Sequence, residues 1–411
     1  MSQTRTLEGN DKKRLAISAL ALSMMLSSLG TSIPNVALPT FSVVFSASFQ
    51  SVQWIVTAYL LTLTLSVVVV GHLGDKFGLK QMLLFGLALY SATSLLCALA
   101  PNLWLLIVAR SIQGIAAAIL MTLTIALVHE TAETNKIGST MGLLGTMSAL
   151  GTAIGPPLGG FLISAANWSS IFFILMPFSL CGAILVYNFL PTSGTTAKLS
   201  KIDLKAIHLR KLLPRLLANL LVAAVMIGTL IIGPFYLSIG LELAIMIVGL
   251  VMSVGPLISI FSGVASGRLV DLIGPNRVTY IGLFTLLLGV LGLISLPTIF
   301  GAVGYLIAIA ILTPGYQLFQ AANNTTIMAV ASNDKRGIYA GLLSLSRNLG
   351  LVAGVSGLGA IFTLGSGTTT MAEASKNSVT NGMQLAFAVA AVLLIIAIIL
   401  IRTEESYTVE V

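Results

Sequence analysis

The chain has 411 residues, 56% of them apolar and 8% charged, with a formal net charge of +8. This balance excludes a soluble domain, because it supplies many apolar runs of about 20 residues, the length that crosses a hydrocarbon core roughly 30 Å thick. The excess of positive charge leaves three explanations open: nucleic acid, an anionic lipid surface, or orientation in a membrane.

Windows of about 20 apolar residues mark twelve spans, beginning near Leu15, Gln53, Gln81, Leu103, Ile137, Ile171, Arg215, Ala244, Val278, Ala302, Ile338 and Met383. The fold class is therefore an all-α polytopic membrane protein, with twelve transmembrane helices in two pseudo-symmetric six-helix bundles. Residues 1–14 form a basic head, 15–190 the N-terminal bundle, 191–214 a basic linker, 215–401 the C-terminal bundle and 402–411 a tail. The first span lacks a short apolar core followed by a small-residue cleavage site, so it is read as retained. Its end, Pro34 to Pro39, reads as a kinked helix. Cys97 and Cys181 fall inside spans and read as small packing residues, with no metal site implied.

Placing the N-terminus inside puts every Lys and Arg on the inner side except Lys376, which is outside, and Arg110 and Arg347, which lie within spans. This asymmetry predicts cytoplasmic N and C termini in the cell (inner) membrane and accounts for the basic charge without nucleic acid. The linker, with Lys198, Lys201, Lys205, Arg210 and Lys211, reads as an orienting tether against anionic membrane lipid. The Ser/Thr/Asn-rich stretch 366–382 reads as a flexible external connection.

The second span ends in Gly71-His72-Leu73-Gly74-Asp75-Lys76-Phe77-Gly78, and the pattern G-x-L-x-D-x-x-G returns at Gly267, Leu269, Asp271 and Gly274. The two aspartates are 196 positions apart, so the chain is duplicated. Three glycines permit a tight turn, and the carboxylate can cap a helix N-terminus or pair with a base; Lys76 and Arg268 belong to the same candidate gating motif. The motif reads either as a plain capped turn or as a gate whose contacts form in one conformation and break in another.

This loop resembles the signature between helices two and three of the major facilitator superfamily. Ala109-Arg110-Ser111-Ile112-Gln113-Gly114 in span four is similar to that family's Arg-containing motif, and Gly151 to Gly160 in span five to the antiporter motif of its drug:proton exporters. The Asn35-Val36-Ala37-Leu38-Pro39 end of span one, and Trp54 with Tyr59 in span two, resemble the same group. The resemblance implies a monomeric secondary transporter rather than an enzyme, without an organic cofactor, taking small-molecule substrates with the proton as coupling ion. Many relatives with this helix-one motif have fourteen helices; the 191–214 segment is too short and polar to supply two more.

A charge inside a span costs about 2.5–3.5 kcal/mol on translocon scales, so Arg110 and Arg347 face protein or water. Each reads either as a structural arginine donating to backbone carbonyls or as a proton-relay or substrate residue, with Gln113 beside Arg110. In span five, Gly151, Gly155 and Gly159 strip side chains from one stripe, Gly160 follows, and Pro156-Pro157 breaks the backbone ladder; the resemblance implies a bend that seals the pathway against leak. Span ten carries Tyr316, Gln317, Gln320, Asn323 and Asn324, read either as interhelical hydrogen-bond glue or as cavity lining. Tyr316, Gln320 and Asn324, with Asn35, Tyr59 and Tyr236, are the cavity candidates.

The exporter group commonly has an acidic residue in helix one where this chain has Gly30, and no carboxylate lies deep in a span. The groups left to carry a proton are Glu242, Asp75, Glu130 and His72. Arginines without carboxylates favour neutral, zwitterionic or anionic substrates over lipophilic dications. The leading expectation is proton-driven efflux of drug-like or metabolite compounds, and the alternative is a proton-independent or symporting carrier of the same fold.

Overall fold

Apolar residues at nearly every position leave the backbone only itself as a hydrogen-bond partner in lipid, so the spans form helices. The computed structural model of the chain describes residues 2–131, 137–191, 209–330, 336–368 and 374–409. Among them are twelve α-helices and one π turn: α1 (Ser2–Val44), α2 (Phe49–Phe77), α3 (Leu79–Ala98), α4 (Leu103–Thr131), α5 (Ile137–Ala165), α6 (Ser170–Phe173), α7 (Leu175–Phe189), α8 (Leu209–Phe235), the π turn (Tyr236–Gly240), α9 (Ile245–Ile273), α10 (Pro275–Ala329), α11 (Arg336–Ser366) and α12 (Lys376–Val409).

The helices map onto the spans with two adjustments. The sixth span is α6 and α7 together, one apolar stretch over Ser170–Phe189. The ninth and tenth are the two arms of α10, separated at Gly301, whose φ of 57° and ψ of −133° are non-helical. The arms pack through glycines. A Cβ at Gly289 would lie 2.6 Å from Leu312 Cβ, and one at Gly315 2.7 Å from the Leu286 nitrogen. Only bare backbone permits so close an approach.

The surface is apolar and the interior holds polar groups. Phe261, Leu272, Leu364 and Trp104 are each more than two-thirds exposed, whereas Ser23, Asn35, Arg110, Gln113, Asn219 and Asn323 are buried. Lipid outside and hydrogen bonds inside explain this inversion.

Contacts divide the chain into two units, Met1–Ala37 with Trp54–Leu199, and Leu38–Gln53 with Ser200–Val411. In the first unit α3 packs on α4, α6 and α7, and α5 on α4 and α6. In the second, α8 packs on α11 and α12, and α10 on α9 and α12. Of the linker, 192–208 lies outside the described residues, and the segment from Leu209 onward is already α8. The end of the first span is helical, α1 running through Pro34 and Pro39 to Val44.

The turn between α1 and α2 belongs to the second unit. Ser48 Oγ accepts the Ser51 N–H at 3.2 Å and caps α2. The Phe49 ring lies 4.7 Å from both Phe235 and Phe362. Gln53 Nε2 donates to the Val355 carbonyl at 3.0 Å, and its amide fills the notch left by Gly359, where a Cβ would overlap it. Gly359→Ala is therefore expected to expel Gln53 and cost about 1–3 kcal/mol, with Gln53→Ala restoring room in the double variant. Thermal melts that leave Gly359→Ala equal to wild type would contradict the notch.

Candidate functional site

Both copies of the duplicated motif end in the same backbone geometry. Gly78 has φ 90° and ψ 133°, and Gly274 has φ 86° and ψ 152°. Each closes the preceding helix by donating to the carbonyl four residues back, Gly74 at 2.9 Å and Val270 at 3.0 Å, and each is the N-cap of the next helix. The expected three-glycine turn is corrected here: Gly71 and Gly74 stay inside α2 and Gly267 inside α9, so the reversal rests on one glycine per copy. A Cβ at Gly74 would meet Leu123 of α4 at 2.7 Å, whereas Gly71 and Gly267 face open space. Lys76 is exposed and lies 5.3 Å above the Phe77 ring. Arg268 and Asp271 are exposed. The side chains of His72, Asp75 and Glu130 lie outside the described residues.

The backbone at Gly274 falls in a region that L side chains occupy at a cost of about 1–3 kcal/mol. Gly274→Ala is expected to lower the melting temperature of purified protein, and Gly267→Ala to leave it unchanged. Equal effects of the two would show that the φ at Gly274 carries no weight.

The α5 motif seats that helix on α1. A Cβ at Gly151 would lie 2.6 Å from the Met25 carbonyl, one at Gly155 2.8 Å from Ser32 Cβ and one at Gly159 2.8 Å from Val36 Cγ1. Ser28 and Ser148 hydroxyls share a 2.7 Å hydrogen bond, and Ser32 Oγ donates to the Gly151 carbonyl at 3.2 Å. Gly160 is buried. Pro156 and Pro157 remove two backbone donors, yet α5 stays helical through them.

Arg110 is fully buried and lies at the centre of a polar knot in the first unit. Its Nη1 donates to Gln113 Oε1 at 2.6 Å and its Nε to the Ile55 carbonyl at 3.3 Å. The guanidinium carbon stands 4.0 Å from the Tyr59 ring centroid, so the ring face takes up part of the charge. Gln113 Nε2 donates to Ser94 Oγ at 2.8 Å, and Ser94 donates to the Tyr90 carbonyl at 2.7 Å. Tyr59 and Tyr90 hydroxyls donate to the Ser27 and Leu26 carbonyls of α1 at 3.1 and 2.9 Å. Gly30 leaves the space that the Tyr90 hydroxyl occupies. Arg110 thus has one carbonyl contact of the structural reading, to Ile55, with Nη2 unpartnered among the described residues, and Tyr59, a cavity candidate from sequence, is the buried shelf beneath it. Asn35 is also buried, with Oδ1 unpartnered among the described residues.

The second unit has its own knot, centred on Asn219 of α8. Asn219 Nδ2 donates to the Leu343 carbonyl at 3.1 Å and to Ser346 Oγ at 2.7 Å, and its Oδ1 accepts from Gln320 Nε2 at 3.0 Å. The polar stripe expected on span ten divides: Tyr316 and Gln320 are half-buried, Asn323 is fully buried and Asn324 is exposed. Both amide atoms of Asn323 are unpartnered among the described residues. Tyr236 is buried in the π turn and stacks on Tyr305 at 6.5 Å. Arg347 is half-buried on α11. Glu242 is exposed, has φ 54° and pairs with Lys376 at 2.9 Å, tying the loop before α9 to the start of α12. Such a solvated pair contributes at most about 1 kcal/mol.

Sequence reading missed Asn219, Ser346, Gln53 and Gly359. Asn219 left a signal, since it is the lone amide in the apolar run from Leu216 to Gly228. The other three became legible only once their neighbours were in place.

Helices around buried polar knots, an apolar exterior and a duplicated glycine-terminated loop define a polytopic helical membrane protein built from a repeat. The Major Facilitator Superfamily profile matches residues 20–355, and the chain belongs to that superfamily. It is 26% identical over 398 residues to the uncharacterized transporter YebQ of Escherichia coli (strain K12), covering 83% of this chain and 87% of that one. It is also 26% identical over 403 residues to the riboflavin transporter RibZ of Clostridioides difficile (strain 630), covering 85% and 88%. A shorter match, 37% identical over 186 residues, covers 45% of this chain and 32% of the efflux pump dotC of Dothistroma septosporum (strain NZE10 / CBS 128990). Among solved structures, a bacterial homolog of the human lysosomal transporter Spinster, inward-facing and unoccupied, has a TM-score of 0.80 at 15% identity, covering 96% of this chain and 97% of that one. That likeness shows the shared fold.

Proposed function

We propose that the protein exports small organic compounds, drug-like or metabolite, by exchanging them for protons through alternating access. The observation that carries this reading is the glycine stripe of α5 seated on α1 at three successive levels, the structural form of the motif that resembles drug:proton exporters. The likeness to the efflux pump dotC supports the same direction. In this reading the protein works as a monomer in the cell membrane with the proton as coupling ion and with both termini cytoplasmic, an orientation that the distribution of its basic residues supports.

A second reading, a carrier that takes up or equilibrates its substrate without proton exchange, is favoured by the lack of any Asp or Glu deep in an apolar span of the sequence and by the likeness to a riboflavin transporter. The two are separated in everted vesicles with an acid interior and a pH-sensitive dye, to which neutral, anionic and cationic compounds, riboflavin among them, are added. Proton release upon addition of a compound is the expected result. Compound uptake with no proton movement overturns antiport in favour of the second reading.

A further inference from the structure

Among the described residues, nothing neutralises the charge of Arg347. On α11, Leu343, Arg347, Gly350 and Gly354 recur at i, i+4, i+7 and i+11, which places them on one face. That face meets α8: the Leu343 carbonyl accepts from Asn219, and Cβ atoms at Gly350 and Gly354 would lie 2.9 Å from Ala223 Cβ and 2.6 Å from Ala224 Cα. Leu345 and Leu349 are exposed, 44% and 43%, on the opposite face. Arg347 therefore points away from lipid, between buried Ser346 and Asn348. Its Nε is buried without a partner, and among the described residues the guanidinium makes no hydrogen bond or ion pair.

The sequence places no Asp or Glu deep in an apolar span: Asp271 and Glu130 sit at the ends of α9 and α4. The contrast with Arg110 is one of degree: that arginine is met by a ring face, a carbonyl and an amide oxygen and leaves Nη2 unpartnered among the described residues, whereas Arg347 makes none of these contacts. The surroundings of Arg347 are rigid as well: Asn219 uses both amide hydrogens and its oxygen, fixing Ser346 next to Arg347 and holding Gln320 of α10. An unmet guanidinium beside a satisfied amide knot costs stability when empty and gains it when an oxyanion fills the fork.

We propose that Arg347 is the anchor for an oxyanion, the carboxylate of an organic substrate, and that the protein's substrates are accordingly organic monoanions. This rests on the transport reading above and narrows it to one substrate class.

The test uses purified full-length protein and follows the melting temperature with benzoate, 2-naphthoate, indole-3-acetate and octanoate, each compared with its primary amide, and with inorganic phosphate and chloride. The expected result is that at least one carboxylate binds ten-fold or more tightly than its amide. That preference is lost in Arg347→Gln and partly kept in Arg347→Lys. Arg347→Gln without ligand is expected to melt above wild type, because the unmet charge is gone. The proposal is overturned if amides and carboxylates are equal on wild type, if the preference survives in Arg347→Gln, or if phosphate or chloride alone gives the full shift, which would mark a resident inorganic ion. Should both variants fail to fold, the carboxylate-to-amide comparison on wild type decides. Arg347-dependent carboxylate binding without flux in proteoliposomes would retain the site and remove the transport reading. Flux of neutral compounds indifferent to Arg347 would do the reverse.

Discussion

Gly155→Ala is expected to lower both the melting temperature and the membrane abundance of the protein, and Ser32→Gly in the same chain is expected to restore both. The added methyl would overlap Ser32 Oγ and lie 2.8 Å from its Cβ. Overpacking of this kind costs about 1–3 kcal/mol, and removing the opposing side chain relieves it, so the double variant is strongly non-additive. Gly350→Ala is the contrast. Its Cβ would strike the Leu220 carbonyl and lie 2.9 Å from the Leu220 carbonyl carbon, so no side-chain deletion on α8 can make room. Rescue of Gly155→Ala together with failure of Leu220→Ala to rescue Gly350→Ala is the predicted pattern. Additive behaviour of Gly155→Ala with Ser32→Gly would show that α5 does not rest on α1 at this level.

Arg110→Ala is expected to cost more, about 3 kcal/mol or above, because it opens a void beneath Tyr59 and strips a donor from both the Ile55 carbonyl and Gln113 Oε1. Arg110→Lys keeps the charge but cannot reproduce the planar fork that spans Ile55 and Gln113 while lying on the ring. Stability and transport are therefore expected to fall together in both variants, read by thermal melts alongside flux at matched protein amounts. Arg110→Lys that melts like wild type but no longer moves protons would contradict the structural role and restore the relay reading of this residue.

What could be read in advance divides along physical lines. Span positions follow from hydropathy, a local property, and the predicted starts at Leu103 and Ile137 coincide with the first residues of α4 and α5. The duplicated loop was legible because glycine at a forced backbone angle is also local, although only Gly78 and Gly274 turned out to need it. The stripe of span ten shows where such reading fails. Asn323 and Asn324 are adjacent on the helix, and which one is buried depends on how the arms of α10 and α8 pack around it. Gln53 and Gly359 are 306 positions apart, and the contact between them carries no periodic signal in either segment. Its consequence, that 38–53 joins the second unit, was invisible to a division of the chain by hydropathy. The Asn219 knot falls between these cases: one amide in an apolar run announces a buried partner but does not name Ser346 or Gln320.

The most direct test of proton-coupled export is accumulation in proteoliposomes. Protein is reconstituted and sided by protease access to the linker, and the lumen facing the predicted external side is made acid. A transported compound from the carboxylate and amide panel is then followed with and without an ionophore that collapses the pH difference. The account predicts accumulation above the external concentration, its loss when the ionophore is added, and its reversal when the gradient is inverted. Equilibration to equal concentrations on both sides, unaffected by the gradient, would contradict proton antiport and assign the protein to the uncoupled carriers of the same superfamily.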